Sequence, residues 1–238
     1  MEQAIGQLHT INGALIRTGF LKLLPISSFV TIYGIAFGVA SVQLPLSNAD
    51  TMLMSILVFA GASQFAALEL WGPEVEMFTL MITVFAINAR HLLMGASLYP
   101  WLRHLPASKR YGTLLFVSDA NWAMSLQAFD KGLPGLGFVF GGGLALWLSW
   151  VLGTCLGVAF GNAVSNPMEL GLDMVMGCFL LTMVIGGDKN SRMLAIWALA
   201  ASASLLAYQY LPENSHVIIG ALAGGIGGLI WGTERNDD

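Results

Sequence analysis

Long apolar stretches separated by short polar connections recur along this chain from about residue 23 to residue 231. Most are about 20 residues long, the length an α-helix needs to cross the hydrocarbon core of a bilayer. The pattern predicts spans at Leu23–Val42, Met52–Leu70, Val75–Leu98, Thr113–Phe129, Leu136–Phe160, Leu170–Gly186, Met193–Leu211 and Val217–Trp231. The expected fold is all-α, a polytopic transmembrane helical bundle of about seven to eight helices. Residues 1–22 would form a cytoplasmic N-terminal segment, 23–232 a single transmembrane domain and 233–238 a short tail. Two spans are irregular: Ser118, Asp119, Asn121 and Trp122 interrupt the fourth, and Gly220, Gly224, Gly225, Gly227 and Gly228 crowd the last.

Composition agrees with the pattern. The 238 residues are 56% hydrophobic and 10% charged, with mean hydropathy +0.71, against about 25% charged residues in a soluble domain. Small residues allow transmembrane helices to approach closely, so Gly141 to Gly143, Gly153, Gly157 and Gly161 are read first as packing surfaces. The first apolar stretch is too long for the h-region of a removable signal peptide and is expected to stay as an anchor. Cys155 and Cys178 have neither disulfide-framework nor metal-ligand spacing, and no metal or other cofactor is expected. The net charge of −4, without basic clusters interleaved with aromatics, argues against nucleic acid as a partner.

Orientation follows from Lys and Arg in short loops. Arg17 and Lys22 place the N-terminus in the cytoplasm, and eight crossings would bring Lys131, Lys189, Arg192 and Arg235 to the same side. That count puts Arg103, Lys109 and Arg110 outside. Either the rule is broken there or an earlier segment does not cross fully, and the Gly61–Gln64 region and the polar fourth segment are the two places where re-entry is expected. A weak internal echo, in hydropathy and glycine placement, links Phe37-Gly38 and the helix ending at the Gly61 break with Leu148–Gly157 and the helix Leu172–Gly187. Such symmetry is what transporter repeats with broken helices leave behind.

The run Gly61-Ala62-Ser63-Gln64-Phe65 lies inside an apolar stretch, where loosened backbone is tolerated only against protein or a cavity. A helix discontinuous there would present backbone N–H groups and a positive dipole end to a substrate carboxylate. Phe59, Phe65 and Leu68 could receive an aliphatic side chain. Asn88, His91 and Gly95 share a helix face, with Arg90 pointing away. A charge inside a span costs about 2.5–3.5 kcal/mol and suggests function, although Arg90 could instead snorkel to the interface. His91, an imidazole, is a candidate for proton coupling, or is a structural hydrogen-bonding residue. Asp119 is the better proton-site candidate, whereas Asp173 could stabilise the start of its own helix.

Tyr33-Gly-Ile-Ala-Phe-Gly38, Phe59-Ala-Gly-Ala-Ser-Gln-Phe65, Asn88-Ala-Arg-His91 with Met94-Gly-Ala-Ser-Leu98, Ser118-Asp119, and Ser149-Trp-Val-Leu-Gly-Thr154 with Gly157 together resemble the AzlC family. These are the large subunits of branched-chain amino-acid exporters. The resemblance runs in order from about Tyr33 to Gly187; the terminal helices match only in hydropathy. The sequence departs from the family where Asn88 stands in place of a frequent Asp, and Asp119-Ala120 in place of a frequent Asp-Glu. A proton path through either missing carboxylate is thereby put in doubt.

The resemblance implies a multi-pass protein of the bacterial inner membrane, a secondary transporter that exports valine, leucine and isoleucine, with methionine as a further candidate. It also implies a small AzlD-type membrane subunit as partner. On that reading Gly61, Ala62, Ser63, Gln64 and Asn88 bind substrate, while Arg90, His91 and Asp119 serve proton coupling or gating.

Other classes fit less well. No Walker A pattern is present to cradle nucleotide phosphates. Ser63 with His91 could be cast as a protease nucleophile and base, but Gly-x-Ser-x-Gly and His-Glu-x-x-His are absent, so no enzyme is expected. Asn166-Pro167 occurs once, in a predicted loop beside Glu169, and is slight support for a channel for another small solute. A non-transporting structural subunit remains the second class.

Overall fold

The computed structural model describes residues 11–72, 75–130, 135–163, 190–211 and 215–231, with Met174, Cys178 and Leu181. The expected span Leu170–Gly186, with Asp173, Asn166-Pro167, Glu169, Lys131 and Lys189, therefore lies wholly or mainly outside the described residues, as does most of the second half of the internal echo. The described helices are α1 Gly13–Val42, α2 Asn48–Leu57, α3 Gly61–Glu69, α4 Met77–Asn88, α5 Arg90–Leu102, α6 Ala107–Leu114, α7 Asp119–Asp130, α8 Leu136–Phe160, α9 Ser191–Tyr210 and α10 Ser215–Trp231, with a 3-10 turn at Gly161–Ala163. No strand occurs among the described residues. Among the described residues, four apolar helices are long enough to cross a membrane: Gly13–Val42, Met77–Leu102, Leu136–Phe160 and Ser191–Tyr210.

The chain divides into two compact units. The first, residues 1–75 and 88–176, is organised on α1 and α8. Glycines hold these helices backbone to backbone: a methyl on Gly34 would stand 2.7 Å from the Trp150 carbonyl oxygen and one on Gly157 2.8 Å from the Gly38 Cα. Gly19 meets Phe138 at one end of the contact and Gly161 meets Val42 at the other. Residue numbers rise together along both helices, so α1 and α8 are parallel. Close approach of this kind gives van der Waals packing where lipid offers no hydrophobic incentive for helices to associate. α1 begins ten residues before the expected start of the first span, because Asn12 caps it by accepting the Leu15 N–H at 2.8 Å.

Two expected spans are each a pair of half-helices. At about 1.5 Å per residue, α2, α3, α6 and α7 are each too short for a hydrocarbon core about 30 Å thick. Beyond the Val42 end of α1, Ser47 caps α2 through the Asp50 N–H at 3.1 Å. α2 then runs beside α8, where the Ser55 and Thr154 hydroxyls share a hydrogen bond at 2.8 Å and Trp147 Nε1 donates to the Ile56 carbonyl at 3.1 Å. It stops at Phe59, whose φ of 45° lies in the left-handed region. Such a residue costs about 1–3 kcal/mol, which the ring offsets by packing against the cluster of Leu23, Ala128, Phe138, Ala145 and Leu146.

The α6–α7 pair replaces the single helix expected over Thr113–Phe129 with two short ones. Leu105, just before α6, and Phe129, at the end of α7, both join the cluster formed by Leu98, Leu102 and Leu136. Val117, in the connection between α6 and α7, joins the same cluster, and the Phe116 carbonyl beside it lies against Gly143, seven residues into α8. The pair enters and leaves at the end where α8 begins. Ile11, just before α1, packs on the same cluster. Arg103, Lys109 and Arg110 accordingly lie at the end of the unit where α1 begins, four residues before Arg17. The polar fourth segment, one of two suspected of re-entry, doubles back because Ser118, Asp119 and Asn121 cannot continue an apolar span but can cap a new helix.

The second unit comprises residues 76–87 and 177–238. Its α9 and α10 form an antiparallel pair in which Gly220 faces Ser204 and Gly227 faces Leu199 and Ile196.

Candidate functional site

The site builds from the two half-helix starts, Gly61 and Asp119. Ala60 offers no side chain to cap α3, so the amides of its first turn carry the positive end of the dipole without a side-chain cap. Gln64 steadies this turn: its Oε1 accepts the Ala60 N–H at 3.2 Å and its Nε2 donates to Ser55 Oγ at 3.4 Å. Ser63 Oγ donates to the Ala60 carbonyl at 2.9 Å and accepts from Asn88 Nδ2 at 2.9 Å. Ser63 and Gln64 are each 1% exposed, and Ala62 is buried.

Gly61 is required by its neighbours rather than by its own dihedral angles. A methyl there would stand 2.8 Å from Tyr33 Cε1 and 3.0 Å from Trp150 Cη2. Tyr33 stacks on Phe65 with ring centroids 5.0 Å apart, and Phe37 lies 5.6 Å from both Phe65 and Trp150. An aromatic wall thus stands beside the uncapped turn, and the indole N–H of buried Trp150 has no partner among the described residues.

Asp119 opens α7, where a carboxylate is favoured by the helix dipole. Arg90 Nη2 lies 3.3 Å from Asp119 Oδ2, with side chains 31% and 18% exposed. Arg90 is twelve residues from Leu102 on α5, and Asp119 eleven from the end of α7. Asn121, two residues after Asp119, bonds to the Val139 carbonyl near the start of α8. Arg90 Nε and Asn88 Oδ1 are buried without a hydrogen-bond partner among the described residues. His91 bonds through Nδ1 to the Asn88 carbonyl at 3.1 Å.

The expected site residues thus fall into two linked groups. Gly61, Ala62, Ser63, Gln64 and Asn88 meet at the start of α3; Arg90 and Asp119 pair at the start of α7; His91 bonds between them to the main chain. Gln64 faces inward, its amide engaged by Ala60 and Ser55.

Three contributors escaped the sequence reading as site residues. Asn121, 0% exposed, donates to the carbonyls of Phe116 at 3.1 Å and Val139 at 2.9 Å while accepting the Ser118 N–H at 2.6 Å. It pins the turn before Asp119 to α8, and the spacing Ser118-x-x-Asn121 was a legible capping signal. Thr154 and Trp150 stand on α8 within a quoted motif, but nothing in their spacing announced Ser55 or Gly61 as neighbours. Among the described residues no group of three or more His, Cys, Asp and Glu converges as a metal site would require.

A family model described as AzlC protein matches residues 25–164. The chain is 28% identical over 222 residues to an uncharacterised membrane protein of Archaeoglobus fulgidus, covering 91% of this chain and 96% of that one. It is 32% identical over 179 residues to the branched-chain amino acid transport protein AzlC of Bacillus subtilis, covering 72% and 67%. It is 24% identical over 177 residues to the inner membrane protein YgaZ of Escherichia coli, covering 68% and 69%. No solved structure matches the chain.

Proposed function

The chain belongs to the AzlC family of membrane transport proteins, and from that premise we propose that it exports branched-chain amino acids as the large subunit of a proton-driven secondary transporter. The substrates are valine, leucine and isoleucine, with methionine as a further candidate, and a small AzlD-type membrane subunit completes the pathway.

The observation that carries this reading is the Arg90–Asp119 pair, its arginine inside an apolar helix long enough to cross a membrane, together with the uncapped start of α3. An intramembrane ion pair is costly to maintain and marks transport pathways. Half-helix starts near the bilayer midplane are the usual place for an anionic substrate group. The wall of Tyr33, Phe37, Phe65 and Trp150 supplies apolar surface for a branched aliphatic chain.

Coupling follows from the chemistry of one carboxylate. Asp119 can hold a proton or a cation, so entry of a proton from outside would release what it held and reset the site. Arg90 and His91 lie next to it on α5 and would gate the exchange. The end carrying Arg17, Arg103, Lys109 and Arg110 faces the cytoplasm under the positive-inside rule. Efflux of labelled valine from preloaded cells, with this chain alone and with an AzlD-type subunit, tests the reading. Efflux that needs both chains supports it, and no efflux of any of the four amino acids would refute it.

A further inference from the structure

We infer that Arg90 and Asp119 are the two charge-recognition residues for a zwitterionic substrate, Arg90 taking its carboxylate and Asp119 its ammonium, so that the ion pair between them is the substrate-free state of the site. This rests on the transporter reading above and names how that site recognises its cargo.

Charged groups are scarce on the two long helices of the first unit. α8 carries no Asp, Glu, Lys, Arg or His, and α1 carries only Arg17 and Lys22, both in its first half. Among the described residues of the first unit the carboxylates are Asp50, Glu69, Asp119 and Asp130, and of these Asp119 is the one paired with Arg90. The neutral amides nearby are already committed: Gln64 to Ala60 and Ser55, and Asn88 Nδ2 to Ser63.

The pair is also poised to open. Its contact is a single 3.3 Å approach through Arg90 Nη2, not a two-pronged bond, and Arg90 Nε is left without a partner among the described residues. A carboxylate can take a guanidinium in the two-pronged geometry that this pair does not use. A purely structural buried pair would be expected to satisfy its donors more fully. With both side chains partly exposed, the site is reachable. An amino acid inserted between the two groups replaces each charge contact with another of the same sign, and so avoids leaving either charge unpaired.

The test uses the purified full-length chain with its small partner in detergent, reading thermal stabilisation by leucine, by 4-methylpentanoate, which lacks the ammonium, and by isopentylamine, which lacks the carboxylate. Loss of one charge-assisted contact should weaken binding at least about tenfold, so leucine should bind at least that much more tightly than either analogue. Asp119→Asn should erase the preference for leucine over 4-methylpentanoate while keeping the preference over isopentylamine. Arg90→Gln should do the converse. A loss of both preferences in each variant, or analogues that match leucine on the unaltered protein, would overturn the inference.

The swapped variant Arg90→Asp with Asp119→Arg keeps an ion pair. Recovery of leucine binding by it would mean that the pair is only structural; stability regained without binding supports recognition. If another amino acid binds in place of leucine with the same opposed losses, the branched-chain reading falls and the inference stands. If none of the twenty amino acids binds more tightly than its acid and amine halves, the inference falls.

Discussion

The guanidinium of Arg90 stands 3.3 Å from the carboxylate of Asp119, joining the start of α5 to the start of α7. Replacing Asp119 by Asn keeps the shape and removes the negative charge. Export driven by a proton gradient should then be abolished, measured as loss of acceleration when the external pH is lowered. Retained coupling would shift the proton site to His91 or the partner subunit.

Gln64 supports the start of α3 from within. Gln64→Leu leaves the Ala60 N–H unsatisfied in a buried place, a loss of about 1–3 kcal/mol. The variant should reach the membrane in normal amounts, unfold at lower temperature and fail to export. Unchanged stability and export would remove Gln64 from both support and binding.

Asn121 pins the α6–α7 turn to α8. Asn121→Ala strands the Ser118 N–H and two carbonyls that it now serves, each buried group costing about 1–3 kcal/mol when unpaired. We expect a larger drop in detergent melting temperature than for Gln64→Leu, together with lost export. A variant as stable as the parent would mean that the hairpin is held elsewhere.

Because α6 begins and α7 ends at the end where α1 begins, Ser108 and residues near Asn12 should face the same compartment. A cysteine at Ser108, in a background with the exposed Cys155 and Cys178 replaced by Ser, should react with impermeant maleimide only in inside-out vesicles. Labelling from outside intact cells would restore the eight-crossing count.

Much of this arrangement was legible in the chain. Apolar run length identified α1 and α8, and Gly141, Gly153 and Gly157, read as packing surface, are where α8 meets α1. The two broken segments were visible as polar or small residues in apolar stretches. Their exact breaks were not. Gly61 drew attention as the loose point, yet the left-handed residue is Phe59, packed against a cluster built from distant helices. Gly61 is small because Tyr33 and Trp150 crowd it. The hairpin at Asn121 was likewise hidden, since Asn121 reads locally as a capping residue and only the fold brings it to Val139. Pairing of Arg90 with Asp119 spans two helices and a loop, a distance over which helical spacing carries no information.

The most direct measurement is leucine movement in proteoliposomes holding the purified chain and its AzlD-type partner, with and without an imposed pH gradient. The account predicts leucine flux opposite to the proton gradient, dependent on both chains and collapsing when an uncoupler is added. Flux that ignores the gradient, or that persists in the Arg90→Gln and Asp119→Asn variants, would contradict it.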